Sequence, residues 1–301
     1  MKRSRKNNKS LEILNETNET QVRHTKKPLF FFFKYCFTYI ILIFLSFLIL
    51  VPVYWVVATS LKIVSNILLW PPQWLPNPMS LNNYKAAFKL LPIARMALNS
   101  VIIAVGGIVT NVVFCSLAGY TFARKRFPGR DTLFALIIST MMIPMYIRLI
   151  PLYLITSKFG MQNTYQGIIL PSAVTAFGIF LMRQYIITLP LEVEDAARVD
   201  GCSEWGILFR IVLPESRPAL ASLALFTLVA SMEDFLWPMI VTSTRKMQPL
   251  PVGITLFIDK EVYDWGPLMA MTAIVIVPVI ILYAFLQSQF VAGLTAGAVK
   301  G

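Results

Sequence analysis

The sequence predicts an all-α membrane protein that crosses the bilayer six times, and three observations support this fold class. The first is composition: 56% of the 301 residues are hydrophobic, 14% are charged and the mean hydropathy is +0.66, which is typical of a polytopic membrane protein. The second is a set of six apolar segments of membrane-spanning length at residues 35–58, 99–120, 131–155, 165–185, 219–242 and 266–286. The third is the distribution of positive charge.

Lysine and arginine are concentrated on one side of this predicted topology. Eighteen of the 27 lie in segments that six spans place in the cytoplasm, namely residues 1–34, 123–131 and 183–217 together with Lys300. Cytoplasmic segments of membrane proteins carry such an excess, so the net charge of +12 requires no nucleic-acid ligand. The bias predicts that both the N terminus and the C terminus are cytoplasmic.

The chain divides into three predicted parts. Residues 1–34 are polar and basic, which predicts a disordered cytoplasmic tail. Residues 35–290 form the six-span domain, and its first apolar segment is too long and too plainly flanked for a cleaved signal sequence. Residues 291–301 are rich in small residues and are predicted to form an extended cytoplasmic tail.

A charged loop at residues 190–214 separates the fourth and fifth predicted spans. Six of the fifteen acidic residues of the chain fall in it or directly after it. Pro190 suits the start of a helix, Gly201 suits a left-handed helix stop, and Ser203 suits the cap of a second helix. The pattern predicts a helix, a break and a second helix. By pattern alone, an ordinary cytoplasmic loop with two surface helices explains these residues equally well.

The particular residues of this loop favour a more specific interpretation than an ordinary surface loop. Asp195-Ala196-Ala197, followed by Gly201 and then by Ile211-Val212-Leu213-Pro214, resembles the EAA loop of ABC-importer permeases. The stretches ARVDG and RIVLP, with FVAGLTAGAVKG at the C terminus, are similar to the carbohydrate-uptake, maltose-type branch of that family. The resemblance covers residues 35–301 and departs at Asp195, where the family usually has Glu, and at Cys202, where it usually has a small residue.

The resemblance implies a permease subunit of a binding-protein-dependent importer in the cytoplasmic membrane. Its solute would be a sugar, either an oligosaccharide or a related polyol or glycerol-phosphate compound. Its partners would be an ABC ATPase dimer that hydrolyses ATP, a second and different permease subunit, and an external solute-binding protein. The loop would be a coupling helix that docks onto the ATPase, with contacts from Glu194, Asp195, Ala196, Ala197, Asp200, Gly201, Leu213 and Pro214.

Glu233 and Asp234 are adjacent acids within the fifth predicted span. Ionisable groups at membrane depth are costly, so they are candidates for function. Phe235 and Pro238 match the W-N-x-F-x-x-P pattern that sugar permeases commonly have near the solute pathway, whereas Met232 and Glu233 replace its Trp and Asn. We interpret Glu233, Asp234, Phe235 and Pro238 as candidates for the translocation pathway. Two alternatives are that the acids face an aqueous vestibule or that they pair with the second permease subunit.

Several function classes are disfavoured by what the sequence does not contain. It has no G-x-x-x-x-G-K-[ST] phosphate loop, no polar cluster suited to catalysis and three cysteines in no metal-binding spacing. We therefore predict a translocation subunit that is not an enzyme and has no cofactor or metal. An ABC permease for a non-sugar solute stays open, and so does a secondary transporter, although the internal repeats expected of one are not evident.

Overall fold

The computed structural model describes the backbone of residues 27–258 and 264–296, and the side chains of residues 35–258 and 264–285. The predicted N-terminal tail up to residue 26, and residues 297–301 of the predicted C-terminal tail, lie outside the described residues. Within the described ranges every regular element is a helix. The predicted all-α class is therefore confirmed.

The first helix, α1 (Lys27–Ser60), runs across the boundary between two compact units at residues 1–56 and 57–301. It begins at Lys27, so residues 27–34 are helical, and the prediction that they belong to a disordered tail is wrong. The run of apolar residues that follows is continuous with them, and the described part of the helix extends as one element to Ser60.

The second unit holds a series of helices joined by short turns. In chain order they are α2 (Asn82–Leu90), α3 (Ile93–Arg124), α4 (Arg130–Ser139), α5 (Met145–Lys158), α6 (Tyr165–Ile169), α7 (Ala176–Thr188), α8 (Leu191–Val199), α9 (Glu204–Ile207), α10 (Leu213–Glu215), α11 (Arg217–Glu233), α12 (Leu236–Val241), α13 (Leu250–Thr255) and α14 (Trp265–Ala296). Single 3-10 turns lie at Val64–Asn66, Thr140–Met142 and Leu170–Ser172, and a π-helical turn lies at Leu208–Val212.

Three of these helices are individually long and apolar enough to cross a membrane: Tyr35–Ser60, Ile93–Arg124 and Trp265–Phe285. Three further candidates are bent pairs: Arg130–Met142 with Met145–Lys158 at 105°, Tyr165–Ser172 with Ala176–Thr188 at 47°, and Glu204–Glu215 with Arg217–Glu233 at 78°. The described residues therefore contain three clear spans, and up to six if each bent pair counts as one.

Two of the breaks coincide with prolines inside predicted spans. Pro144 precedes α5 directly, and Pro171 lies in the 3-10 turn between α6 and α7. Proline has no backbone N–H and disfavours helical geometry in the residue before it, so a helix readily ends there. Irregular backbone of this kind is tolerated at membrane depth where it is buried in protein or lines a cavity.

Two predicted boundaries at the C-terminal side are wrong. The sequence predicts a fifth span that continues to residue 242, but α11 ends at Glu233 because Asp234 has an extended backbone with φ −73° and ψ 110°. It also predicts an extended segment from residue 291, but α14 continues to Ala296. Ala292, Leu294 and Ala296 are good helix formers, which favours the continued helix.

α3 is the central helix of the second unit and packs against α7 and α11. Gly119 allows α7 to approach closely, because a Cβ atom at this position would lie 2.6 Å from the Cβ of Met182. Small residues permit such close approach of helices in a bilayer. The adjoining core joins α3, α7 and the second half of the charged loop through buried side chains of Cys115, Met182, Ile186, Ile207, Leu208 and Val212.

Candidate functional sites

The backbone of the charged loop follows the predicted design. Pro190 precedes α8, and Gly201 after it has φ +81°, a conformation that costs a residue with a side chain free energy. The N–H of Cys202 donates to the carbonyl of Ala197 at 2.9 Å and closes the helix end. Ser203 Oγ accepts from the N–H of Gly206 at 3.2 Å and caps α9. The predicted helix, break and capped second helix are confirmed.

Glu194 points inward from α8 and is held by an arginine of α3. Arg124 Nε lies 2.6 Å from Glu194 Oε1, and the two side chains are only 5% and 2% exposed. A second nitrogen of Arg124 donates to the carbonyl of Leu189 at 2.8 Å, so the guanidinium also fixes the approach to the loop. A buried ion pair of this kind leaves an uncompensated charge if one partner is removed.

A second set of contacts surrounds Glu204 at the start of α9. Its carboxylate accepts from Arg198 Nε at 3.1 Å, pairs with Lys125 Nζ at 2.5 Å and accepts from the Tyr120 hydroxyl at 3.1 Å. The Arg198 guanidinium and the Lys125 ammonium group lower the pKa of Glu204 from its ordinary value to about 2. Because Arg198 also pairs with Asp195 at 2.6 Å, the two halves of the loop share one cation.

The outer face of the loop is partly apolar. Asp195, Ala196, Asp200 and Gly201 are exposed, whereas Ala197 is 8% exposed and packs inward. Beside them the side chains of Val199, Trp205 and Phe209 are exposed, and the two aromatic rings stack with centroids 6.1 Å apart. Of the residues predicted for ATPase contact, Leu213 and Pro214 are half-buried at the far end of the second half of the loop.

The structure separates the four predicted pathway residues into two sites. Asp234 and Pro238 line a cavity of about 450 Å³ between α3, α7 and α11, whereas Glu233 and Phe235 line a different, mainly apolar cavity against α14. Asp234 Oδ1 accepts from the N–H of Trp237 in the first turn of α12 at 3.3 Å. Adjacent acids therefore face different surroundings because the backbone changes direction between them.

The cavity beside Asp234 lies at the break between α6 and α7. Asn111, at the middle of α3, is 1% exposed and crosses to this break. Its Nδ2 donates to the carbonyl of Ser172 at 2.6 Å, and its Oδ1 accepts from Thr175 Oγ1 at 2.9 Å. These bonds satisfy the irregular backbone and hydroxyl that the break exposes, so the bend is fixed by side chains. We name this space, lined by Ser172, Phe177, Phe226, Thr227, Ser231 and Asp234 among others, the break cavity.

Residues 112–295 match the model of a family described as the binding-protein-dependent transport system inner membrane component. This range contains the whole charged loop, α11 and most of α14. The chain belongs to this permease family. It is accordingly a multi-pass protein of the cell membrane.

Relatives of this permease include transport proteins named for carbohydrates. The arabinooligosaccharides transport system permease protein AraQ of Halalkalibacterium halodurans is 40% identical over 203 residues, which is 67% of this chain and 73% of that protein. AraQ of Bacillus subtilis is 35% identical over 260 residues, covering 85% of this chain and 92% of that protein. The sn-glycerol-3-phosphate transport system permease protein UgpE of Brucella suis is 29% identical, covering 81% of this chain and 89% of that protein.

The fold of this permease also occurs in a solved structure. The crystal structure of a bacterial ABC transporter involved in the import of the acidic polysaccharide alginate contains a chain that matches with a TM-score of 0.75 at 24% identity. The match covers 85% of this chain and 95% of that chain. At this level of identity the likeness shows the fold alone.

Sequence reasoning does not single out the residues of this permease that tie the loop to α3. Tyr120, Arg124 and Lys125 carry the contacts with Glu194 and Glu204, yet the sequence assigns the basic pair only to the positive-inside bias. The available signal is the coincidence of that basic turn with the acid-rich loop on the same predicted side of the membrane. Polar residues of the break cavity such as Asn111 are also not predicted.

Proposed function

We propose that this chain is one permease subunit of an importer that takes up a sugar and uses ATP hydrolysed by partner subunits. The relatives named above for arabinooligosaccharides support the solute class. The observation that carries the proposal is the geometry of the charged loop, a short helix ended by Gly201 at φ +81° and fastened to α3 through Arg124 and Glu194. A loop fastened in this way moves together with the membrane helix that holds it.

The loop is proposed as the docking element for an ATPase dimer. Its exposed face combines carboxylates with the apolar side chains of Val199 and Trp205, and protein interfaces commonly have such an apolar centre with a polar rim. The proposed contacts keep the predicted set, Glu194, Asp195, Ala196, Ala197, Asp200, Gly201, Leu213 and Pro214. Among them Glu194 and Ala197 act by positioning, because their side chains are buried within the chain.

The proposed assembly has six spans with both chain ends in the cytoplasm, so that the loop reaches the ATPase. A second, different permease subunit and an external solute-binding protein complete the proposed importer. Nucleotide on the ATPase and the loaded binding protein each favour one of two conformations of the spans, and alternation between these moves the solute. Asp234, Pro238, Glu233 and Phe235 remain the proposed pathway residues, divided between the two cavities.

Identification of the proteins that co-purify with this chain tests the proposal. The chain is extracted from its own cells in a mild detergent, and its companions are identified by mass spectrometry. We expect an ATPase and a second permease in comparable amounts. A folded chain that is recovered alone, or only with further copies of itself, would contradict the proposal and favour a stand-alone transporter.

A further inference from the structure

The polar side chains that line the break cavity can accept hydrogen bonds from a ligand but have few hydrogens to donate to it. Its hydroxyl groups are already donors to helix carbonyls: Ser231 Oγ to Thr227 at 2.8 Å, Thr227 Oγ1 to Leu223 at 2.8 Å, and Ser172 Oγ to Ile169 at 3.2 Å. A hydroxyl has one hydrogen to donate and two lone pairs that accept. The hydroxyls of this wall can therefore only accept from a ligand.

The remaining polar side chains at the break follow the same rule. Both hydrogens of the Asn111 amide are committed, one to the carbonyl of Ser172 at 2.6 Å and one to that of Gly107 at 3.3 Å. Thr175 Oγ1 donates to Asn111 Oδ1 at 2.9 Å. None of these side chains has a hydrogen left for a ligand, so the donor side of every hydrogen bond to them has to come from what enters the cavity.

Asp234 adds a carboxylate to this wall. One of its oxygens accepts from the N–H of Trp237, and within residues 35–258 and 264–285 no lysine or arginine forms an ion pair with it. A carboxylate with no cation beside it repels an anion, and desolvated charge repulsion is costly. The cavity consequently disfavours a solute that carries phosphate or sulfonate.

Aromatic side chains form the apolar part of the cavity. The rings of Phe177 and Phe226 meet edge to face, with centroids 5.1 Å apart and planes at 80°. The volume of about 450 Å³ falls within the range of small-molecule sites, which are mostly apolar with a few placed polar groups. An aromatic surface beside several acceptors suits a ring that has C–H groups on its faces and hydroxyl groups at its edge.

We propose that the break cavity is a solute subsite of this subunit that selects uncharged, hydroxyl-rich sugar units and rejects anionic ones. This inference rests on the proposed function and adds to it a recognition site and a charge preference. The charge preference separates two kinds of solute for which related permeases are named, the neutral arabinooligosaccharides and the anionic sn-glycerol 3-phosphate. Asp234 is the residue that sets it.

The test compares Asp234 with an exposed acid outside the cavities in the complete importer, reconstituted with its partner subunits and binding protein. Asp234→Asn keeps a side-chain oxygen that can accept from the N–H of Trp237, but it removes the charge and introduces hydrogen-bond donors. Asp131→Asn is the matched control, because it makes the same substitution at an acid whose side chain is 76% exposed and which lines neither of the two cavities. The probes are radiolabelled arabinotriose and sn-glycerol 3-phosphate, each measured for uptake and for KM.

We expect the unmodified importer to prefer arabinotriose. D234N should lower arabinotriose uptake about tenfold, mainly through KM, and should narrow the preference over sn-glycerol 3-phosphate, whereas D131N should stay within about twofold of the unmodified importer. Binding-protein-stimulated ATP hydrolysis and the yield of assembled complex should be unchanged in both variants, which separates recognition from folding.

Three results would overturn the inference while leaving the proposed function intact. They are an arabinotriose KM for D234N within about twofold of the unmodified value, an equal loss in D131N, and a preference of the unmodified importer for sn-glycerol 3-phosphate. If neither probe, nor a wider panel of neutral oligosaccharides, is taken up by an importer that hydrolyses ATP, the proposed function itself fails, and the inference fails with it.

Discussion

Arg124 at the end of α3 and Glu194 in α8 form an ion pair of 2.6 Å whose side chains are 5% and 2% exposed. The two residues are 70 positions apart in the chain, so the pair fixes the placement of the loop relative to a membrane helix. Removal of one member of a buried pair typically costs about 3–5 kcal/mol, whereas replacement of both by apolar residues of similar size is often neutral. Single and double substitutions of this pair should therefore differ in their effect on stability.

Arg124→Met should lower the stability of the chain by about 3 kcal/mol, because the buried Glu194 keeps only the longer contacts, both 3.5 Å, with Arg198 and the Tyr120 hydroxyl. The double variant R124M/E194M should recover most of that loss. Lys125→Met is the control, since its partner Glu204 is 48% exposed and such pairs contribute roughly 1 kcal/mol or less. Thermal unfolding in detergent measures all three variants, and equal losses for Arg124→Met and Lys125→Met would contradict the assignment.

Gly201→Asp should abolish solute uptake while leaving membrane insertion intact. The residue has φ +81°, and a Cβ atom added to it would meet nothing within 4 Å, so the chain itself should tolerate the change at a cost of about 1–2 kcal/mol. The added carboxylate would project from the proposed docking face. Gly129→Asp is a matched control, because Gly129 has φ +78°, equally open surroundings and a position outside the loop. Normal uptake by G201D would remove the docking argument.

The contacts of Glu204 should be insensitive to pH between about 5 and 8. Arg198 and Lys125 lower its pKa to about 2 from an ordinary value of 4.5, so the stabilisation is complete above pH 4.5 and is lost as the pH falls towards 2. The thermal midpoint of the unmodified chain should therefore fall more steeply than that of Glu204→Gln between about pH 4.5 and about pH 2.5. Glu192→Gln, at an exposed position of the same loop, should keep the steep fall.

The rate at which Cys202 reacts with a thiol reagent should fall when the ATPase binds to the loop. It is exposed in the loop, whereas Cys115 is fully buried in α3, so a charged maleimide should react with Cys202 and spare Cys115. In membrane vesicles the reagent should label Cys202 only when the cytoplasmic face is outward, and bound ATPase should slow labelling about tenfold. Cys202→Ser provides the background from Cys36. Labelling in right-side-out vesicles would contradict the proposed orientation.

Local features of the loop are predictable because each depends on a few adjacent residues. Pro190, Gly201 and Ser203 have backbone preferences that act without help from the rest of the chain, and all three occupy the expected positions. The separation of Glu233 from Asp234 is not predictable in the same way. It depends on a backbone turn that is stabilised by α12, whereas the hydrophobic pattern of an apolar segment of this length predicts one continuous helix.

Contacts between residues that are far apart in the chain are the part of the site that the sequence predicts least well. The shortest ion pair of Glu194, at 2.6 Å, is with Arg124 of α3, whereas Arg198 of the same loop lies at 3.5 Å. Only the packing of α3 against α7 brings Arg124 into reach. Composition explains why a basic turn follows α3, since the positive-inside bias requires one. It does not say which of Arg124, Lys125 and Arg126 finds a buried carboxylate.

Side-chain contacts anchor α3 near both of its ends, so the helix can couple the binding of ligands on the two sides of the membrane. Asn99 near its start donates to the carbonyls of Lys246 and Gln248 at 2.8 and 2.9 Å, and Arg124 at its end holds the loop. These anchors are separated by about 38 Å of helix at about 1.5 Å per residue. If a ligand at one end changes the equilibrium tilt of this rod, a ligand at the other end experiences the same change, and thermodynamic reciprocity makes the two effects equal. The factor by which nucleotide alters the affinity for the external partner is then the factor by which that partner alters the affinity for nucleotide.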